Sequence, residues 1–195
     1  MHKYLKFGWI ENLDTVRHIS IGKVWGVTVS VTSTLWLSPI VFFSLGILQN
    51  FSAPNIALNH LLYLALVNLI GIEISTLIHQ TGHILGGKLV GSPMDELLLT
   101  ATRGYNIYRG DQSHIPSYVH LGRALGGQLL NLLIAMLLSL ELPFVGSGLP
   151  FDLLASLASI SLFFGYGSFL PLPSIDGWVI WREALRPLRR RVTLS

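Results

Sequence analysis

The chain has no cysteine, which removes disulfides and thiolate metal sites and leaves the redox compartment open. It is also poor in charge: only 12% of its 195 residues are Asp, Glu, Lys or Arg, against about a quarter in an ordinary soluble domain. The deficit falls in blocks. No charged residue lies between Lys23 and Glu73, between Glu73 and Lys88, between Arg123 and Glu141, or between Asp152 and Asp176. About 20 apolar residues cross a bilayer core, so these blocks read as membrane spans, and a soluble core with runs this long would be unusual. The N-terminal stretch MHKYLKFGWIENLD has neither an apolar core of the needed length nor a small-residue cleavage site, so no cleavable signal is expected.

What charge there is sits at the ends of the apolar blocks. Net charge is +3 and the isoelectric point is near 9.4. Because the basic residues flank apolar blocks, they are read as setting orientation in a membrane, and no nucleic-acid partner is expected. The expected fold class is an all-α integral membrane bundle, one domain over 1–195, with about four transmembrane helices and a short β hairpin or strands at its cytoplasmic edge. The spans are placed at about 32–48, 56–89, 120–142 and 151–169, with Pro54 as a helix start. Residues 1–18 are assigned to the membrane surface. ISIGKVWGVTVSV at 19–31 is rich in β-branched residues around Gly22 and Gly26 and reads as a strand or hairpin. The polar stretch 92–119 reads as a cytoplasmic-side loop with possible strands. The tail at 178–190 reads as a surface helix, with Trp178, Trp181, Leu185 and Leu188 on roughly one side, able to lie on the bilayer.

Four spans put both termini on one side. The thirteen Lys and Arg then gather there, four before the first span, four in 88–123 and five after the fourth, while 49–55 and 143–150 carry none. The positive-inside rule makes that side cytoplasmic.

Two segments carry chemistry. His79-Gln80-Thr81-Gly82-His83 lies inside the second apolar block. Two histidines at i and i+4 share a helix face and can reach one metal ion, or can merely hydrogen-bond between helices. In the related pattern H-E-x-x-H, the glutamate takes a proton from metal-bound water. Gln80 stands at that position, and an amide cannot take up a proton as a carboxylate does. Pro171-Leu172-Pro173-Ser174-Ile175-Asp176-Gly177 ends the fourth block. A carboxylate there is costly unless paired, metal-bound or solvated, and the prolines fix the backbone before it. Two His and one Asp would leave a fourth zinc position open.

Together these segments resemble the site-2 protease family of intramembrane zinc metalloproteases. That family pairs H-E-x-x-H with N-x-x-P-x-P-x-x-D-G further along the chain, and here His79 and Asp176 are 97 positions apart. ISIGKVWGVTVSV resembles the family's N-terminal entry strand, and GGQLLN at 126–131 resembles its G-P-x-x-N segment, so the likeness runs from about 19 to 180. The resemblance implies zinc bound by His79, His83 and Asp176, and a groove for an unwound transmembrane helix of a substrate or partner. Three positions depart from it. Gln80 replaces the glutamate, Ser168 the asparagine of N-x-x-P-x-P, and Gln128 the proline of G-P-x-x-N. One Glu-to-Gln change alone would suit a disarmed protease, whereas three spread over the motifs suit drift after loss of catalysis. The expected function is therefore a non-cleaving pseudoprotease that binds a membrane partner or serves as a subunit of a larger membrane complex. The alternative is an active, or deliberately disarmed, intramembrane protease.

Three further residues invite attention. Glu73 faces the same side of the helix as Gln80 but stands seven residues, about 10.5 Å, away. That is too far to replace a general base without a helix break near Gly71, and a protonated Glu bonded between helices is the simpler reading. His60 and His120 lie near span ends. They read as interface residues, with axial ligation of a haem or chlorophyll as a minor alternative.

Overall fold

The computed structural model describes residues 17–51, 56–173 and 175–192, with side chains described as far as Arg186 in the last segment. The surface assignment of residues 1–16 and the helix start at Pro54 lie outside the described residues. β1 (His18–Val24) and β2 (Val27–Thr32) form a hairpin whose central residues, Trp25 and Gly26, have φ of 49° and 90°. Positive φ at both positions matches the right-handed twist of the strands and explains the glycine. A 3₁₀ turn (Leu35–Leu37) leads into α1 (Ser38–Asn50). Then follow α2 (Leu58–Leu89), β3 (Glu96–Leu99), β4 (Gly104–Ile107), α3 (Ser117–Glu141), α4 (Leu149–Gly167) and α5 (Asp176–Val192).

Among the described residues three helices, not four, are long and apolar enough to cross a membrane: α2, α3 with its 3₁₀ extension to Phe144, and α4. The block at 32–48 was expected to be a full span. It opens with the last residue of β2 and the 3₁₀ turn, and its helix begins only at Ser38 ahead of Pro39. Thirteen residues rise about 20 Å, short of a bilayer core of about 30 Å. α1 lies along the N-terminal half of α2, where Gly46 packs on Ala65 and Ser38 Oγ donates to Glu73 Oε1 at 2.5 Å. Glu73 is thus bonded between helices.

The β structure exceeds a hairpin. One sheet in the order β1-β2-β3-β4 joins β2 to β3 in parallel, with Val29 opposite Leu97. α1 and α2 form the crossover that parallel pairing requires. One sheet face meets the C-terminal half of α2 through Val27, Ile84, Met94 and Leu97, with Leu99 and Tyr108 beside them.

Among the bundle helices α2 and α3 come closest. Gly82 and Gly86 on α2 face Gly126 and Gly122 on α3, and a Cβ on Gly82 would collide with the Gly126 carbonyl. In lipid, where burial of apolar surface gives helices little reason to associate, such small-residue contacts supply the packing. Polar pairs add to it: Ser75 and Ser161 hydroxyls lie 3.0 Å apart, and Tyr63 OH donates to Asp152 at 2.6 Å. Gly82→Leu is therefore expected to cost about 2 kcal/mol or more through overpacking against backbone. Gly167→Ala, which meets nothing within 4 Å, should stay within about 0.5 kcal/mol. Unfolding of both variants in detergent micelles checks the contrast.

Candidate metal centre

His79 and His83 lie one turn apart on α2, both buried, with ring centroids 4.6 Å apart. Asp176 opens α5 directly after the Pro171–Pro173 turn. Gly177 permits this placement, because a Cβ there would strike the backbone of Phe169 and Leu170 at the end of α4. Asp176 Oδ2 then stands 3.1 Å from His79 Nε2 and 3.2 Å from His83 Nε2. Among the described residues these three form the one group able to hold a metal ion.

The donor set fits zinc. Ligand atoms held tetrahedrally at about 2.0–2.1 Å stand about 3.3 Å from one another, close to the separations seen here. The far side of each ring is engaged as well. His83 Nδ1 donates to the Arg123 carbonyl at 2.8 Å, which leaves its Nε2 lone pair facing Asp176. The Asn131 amide lies 3.2 Å from His79 Nδ1, and its buried Oδ1 has no partner. Turning that amide over satisfies the oxygen with the Nδ1 proton and frees the Nε2 lone pair of His79 for a metal. Gly127 provides the space: a Cβ there would lie 2.6 Å from His83 Nε2 and 2.8 Å from His79 Nε2, where an ion would sit.

The Arg123 side chain ties the surrounding loops together. Its Nε donates to the Ser92 carbonyl at 2.8 Å, its Nη1 to Gln112 at 2.7 Å, and its guanidinium lies 3.9 Å from the Tyr108 ring centroid. Burial pushes the Tyr108 phenol up to about 12 even beside that cation, so it stays protonated.

The altered positions surround the same place. Gln80 is buried, with its amide packed beneath Gly104 of β4 and its Oε1 lacking a partner. Gln128 is wholly buried on α3, and its Nε2 donates to the Ser168 carbonyl at 3.4 Å. Two of the three departures therefore touch each other. His60, exposed in the first turn of α2 and stacked on Tyr63, and His120, in the first turn of α3, take no part. α2 and α3 run antiparallel, so these histidines lie at opposite ends of the bundle and share no ligand. Gly127 and Asn131 belong to the GGQLLN segment matched to G-P-x-x-N, but neither they nor Gly104 was assigned a role at the site. That segment was the signal available for Gly127 and Asn131; nothing local marked Gly104 as a neighbour of Gln80.

The fold matches a solved structure, the site-2 protease from Methanocaldococcus jannaschii, at a TM-score of 0.63 and 23% identity, over 87% of this chain and 72% of that one. No protein-family model and no curated protein matches the sequence. The chain thus has a site-2-protease-like fold, and with its three membrane-length helices it is a membrane protein.

Zinc titration against a competing chelator should show one site per chain, lost in His83→Ala and Asp176→Ala. Asn131→Leu should weaken it about 10–100-fold by releasing the His79 ring. Gly127→Ala should exclude the ion while the protein stays folded. Equal zinc affinity in wild type and His83→Ala would remove the site.

Proposed function

We propose that this protein is a non-cleaving relative of the site-2 proteases, which keeps a zinc site and uses the surrounding groove to hold a transmembrane segment of a partner, as one subunit of a larger membrane complex. The observation that carries this reading is Gln80. Hydrolysis at such a site needs a group that removes a proton from the attacking water, and the neutral amide lacks that capacity. Bound zinc would supply Lewis acidity toward a carbonyl or water oxygen. Everything else is the work of the chain. His79, His83 and Asp176 hold the ion, while Asn131 and the Arg123 carbonyl fix the rings. Gln80 offers one acceptor and one donor to a peptide group without exchanging a proton.

That Gln80, Gln128 and Ser168 all depart from the motifs supports a retuned site over a single disarming change. Gln128 also gives the backbone carbonyl of residue 168 a donor that proline would lack, whatever side chain stands at 168. The intact His/His/Asp set favours a second reading, an intramembrane zinc protease whose glutamate has been exchanged for Gln80.

Cleavage of a co-expressed membrane substrate separates the two. General-base catalysis is worth about 10²–10⁴-fold, so the protein as it stands should give no useful turnover. On the pseudoprotease reading, Gln80→Glu restores little until Gln128→Pro and Ser168→Asn accompany it; on the second reading, Gln80→Glu alone gives robust zinc-dependent cleavage. Strong proteolysis by the Gln80 protein itself, abolished by His79→Ala, would overturn the first reading.

We further propose that both termini lie on the basic, cytoplasmic side. α1, the 3₁₀ turn and the chain before them would together make the first passage, so that one short helix replaces a full span. Reporter fusions at Ser147 and Ser195 should report opposite sides. The same side from both would break this topology.

A further inference from the structure

α5 has an inner face and an outer one. Gly177, Ile180 and Glu183 are buried against the bundle, and Ser117 at the start of α3 donates to Glu183 at 2.9 Å. Burial alone would raise the Glu183 pKa. Hydrogen bonds from Ser117 and Arg182 outweigh it and keep the carboxyl below its ordinary value, so the anchor stays charged. The outer face carries Trp178, Trp181 and Leu185, which are 38%, 48% and 39% exposed. The Trp181 indole N–H donates to the Phe169 carbonyl at 2.8 Å, which fixes α5 at the level where the membrane-length α4 ends. Exposed Phe163 and Tyr166 on the last turns of α4, and exposed Leu170 and Leu172 after it, lead the apolar surface onto α5. Arg186 pairs with Glu183 at 3.2 Å, and beyond it the sequence has three further arginines, Arg189, Arg190 and Arg191, and no acidic residue.

We propose that α5 docks on the anionic phospholipid surface of the bilayer that α4 leaves, with Trp178, Trp181 and Leu185 at the boundary between headgroups and acyl chains and the positive charge of the sequence after them adding attraction to lipid phosphates. Three observations choose this occupant. The apolar face continues a lipid-facing helix. Two tryptophans, suited to a boundary that is apolar on one side and wet on the other, lie on it. The charge flanking it is of one sign, opposite to that of the lipid, and each arginine near such a surface is worth about fivefold in affinity.

Tryptophan quenching by brominated lipid tests this on the full chain in liposomes of phosphatidylcholine with about 30% phosphatidylglycerol. The Trp178→Phe/Trp181→Phe double variant subtracts the other three of the five tryptophans. Bromine on phosphatidylglycerol is expected to quench the Trp178 and Trp181 signal at least about twofold more than the same mole fraction on phosphatidylcholine. The difference should shrink with salt. It should vanish when Arg189, Arg190 and Arg191 are all changed to Gln, with Arg186 left in its ion pair with Glu183. Equal quenching by both lipids in the wild type would overturn the selection for anionic lipid. No quenching by either would mean that protein covers the face, and quenching that falls as protein density rises would mean that a second copy does; each overturns the proposal.

Discussion

The close approach of α2 and α3 at Gly82 and Gly126 is the constraint on which the rest of the site depends. Because backbone touches backbone there, the Arg123 carbonyl comes within 2.8 Å of His83, Asn131 comes within 3.2 Å of His79, and Gly127 lies beside both Nε2 atoms. A wider spacing would leave two imidazoles in an apolar bundle with their outer nitrogens unpaired. A buried polar group without a partner costs about 1–3 kcal/mol. The helix crossing therefore does two things at once, bringing partners to the histidines and leaving, at Gly127, room beside their Nε2 atoms that a Cβ would fill. Asp176 reaches the same place from the other side, carried by α5, which is itself anchored on the first residue of α3 through Glu183 and Ser117.

The site was more legible in the sequence than the fold around it, for a physical reason. The histidine pair is a local signal, since spacing i to i+4 fixes a shared helix face whatever packs on it. Asp176 was legible because prolines and a glycine bracket a carboxylate where an apolar run stops. The shortness of α1 was not legible, because apolar length alone cannot say where a helix starts. Residues 33–37 are as compatible with a span as with the turn they form, and the strand ending at Thr32 is set by pairing with β1 and β3. The parallel pairing of β2 with β3 joins segments some seventy residues apart, with two helices between them. Nothing in the stretch 92–119 announces which strand it will meet. Gly104 follows from that pairing: its closeness to Gln80 exists only once β4 has joined the sheet edge, so the cover over the altered position could not be read from either segment.

Construction and chemistry separate cleanly at Gln80. The residue is buried, yet among the described residues its Oε1 has no hydrogen-bond partner. Replacing a carboxylate by an amide at such a place removes a proton acceptor without removing any part of the frame that holds His79, His83 and Asp176. It also relieves the cost of keeping a second carboxylate in an apolar setting. On the proposed reading, loss of the base would leave the hydrogen bonds that hold His79, His83 and Asp176 in place.

The same exchange changes what the centre attracts. With a divalent ion on two neutral imidazoles and the Asp176 carboxylate, the charge sums to plus one; a glutamate at position 80 would bring it to zero. In a medium of low dielectric that difference is felt strongly over a few ångströms. If it held zinc, a centre with Gln80 would therefore favour an oxygen donor, a peptide carbonyl or a carboxylate, from its occupant. Gln80 cannot convert that contact into bond breaking, because it cannot take up a proton. On the proposed reading, a partner oxygen accepted there would be held without reaction, and Gln80 would both withhold the base and leave the charge that attracts it.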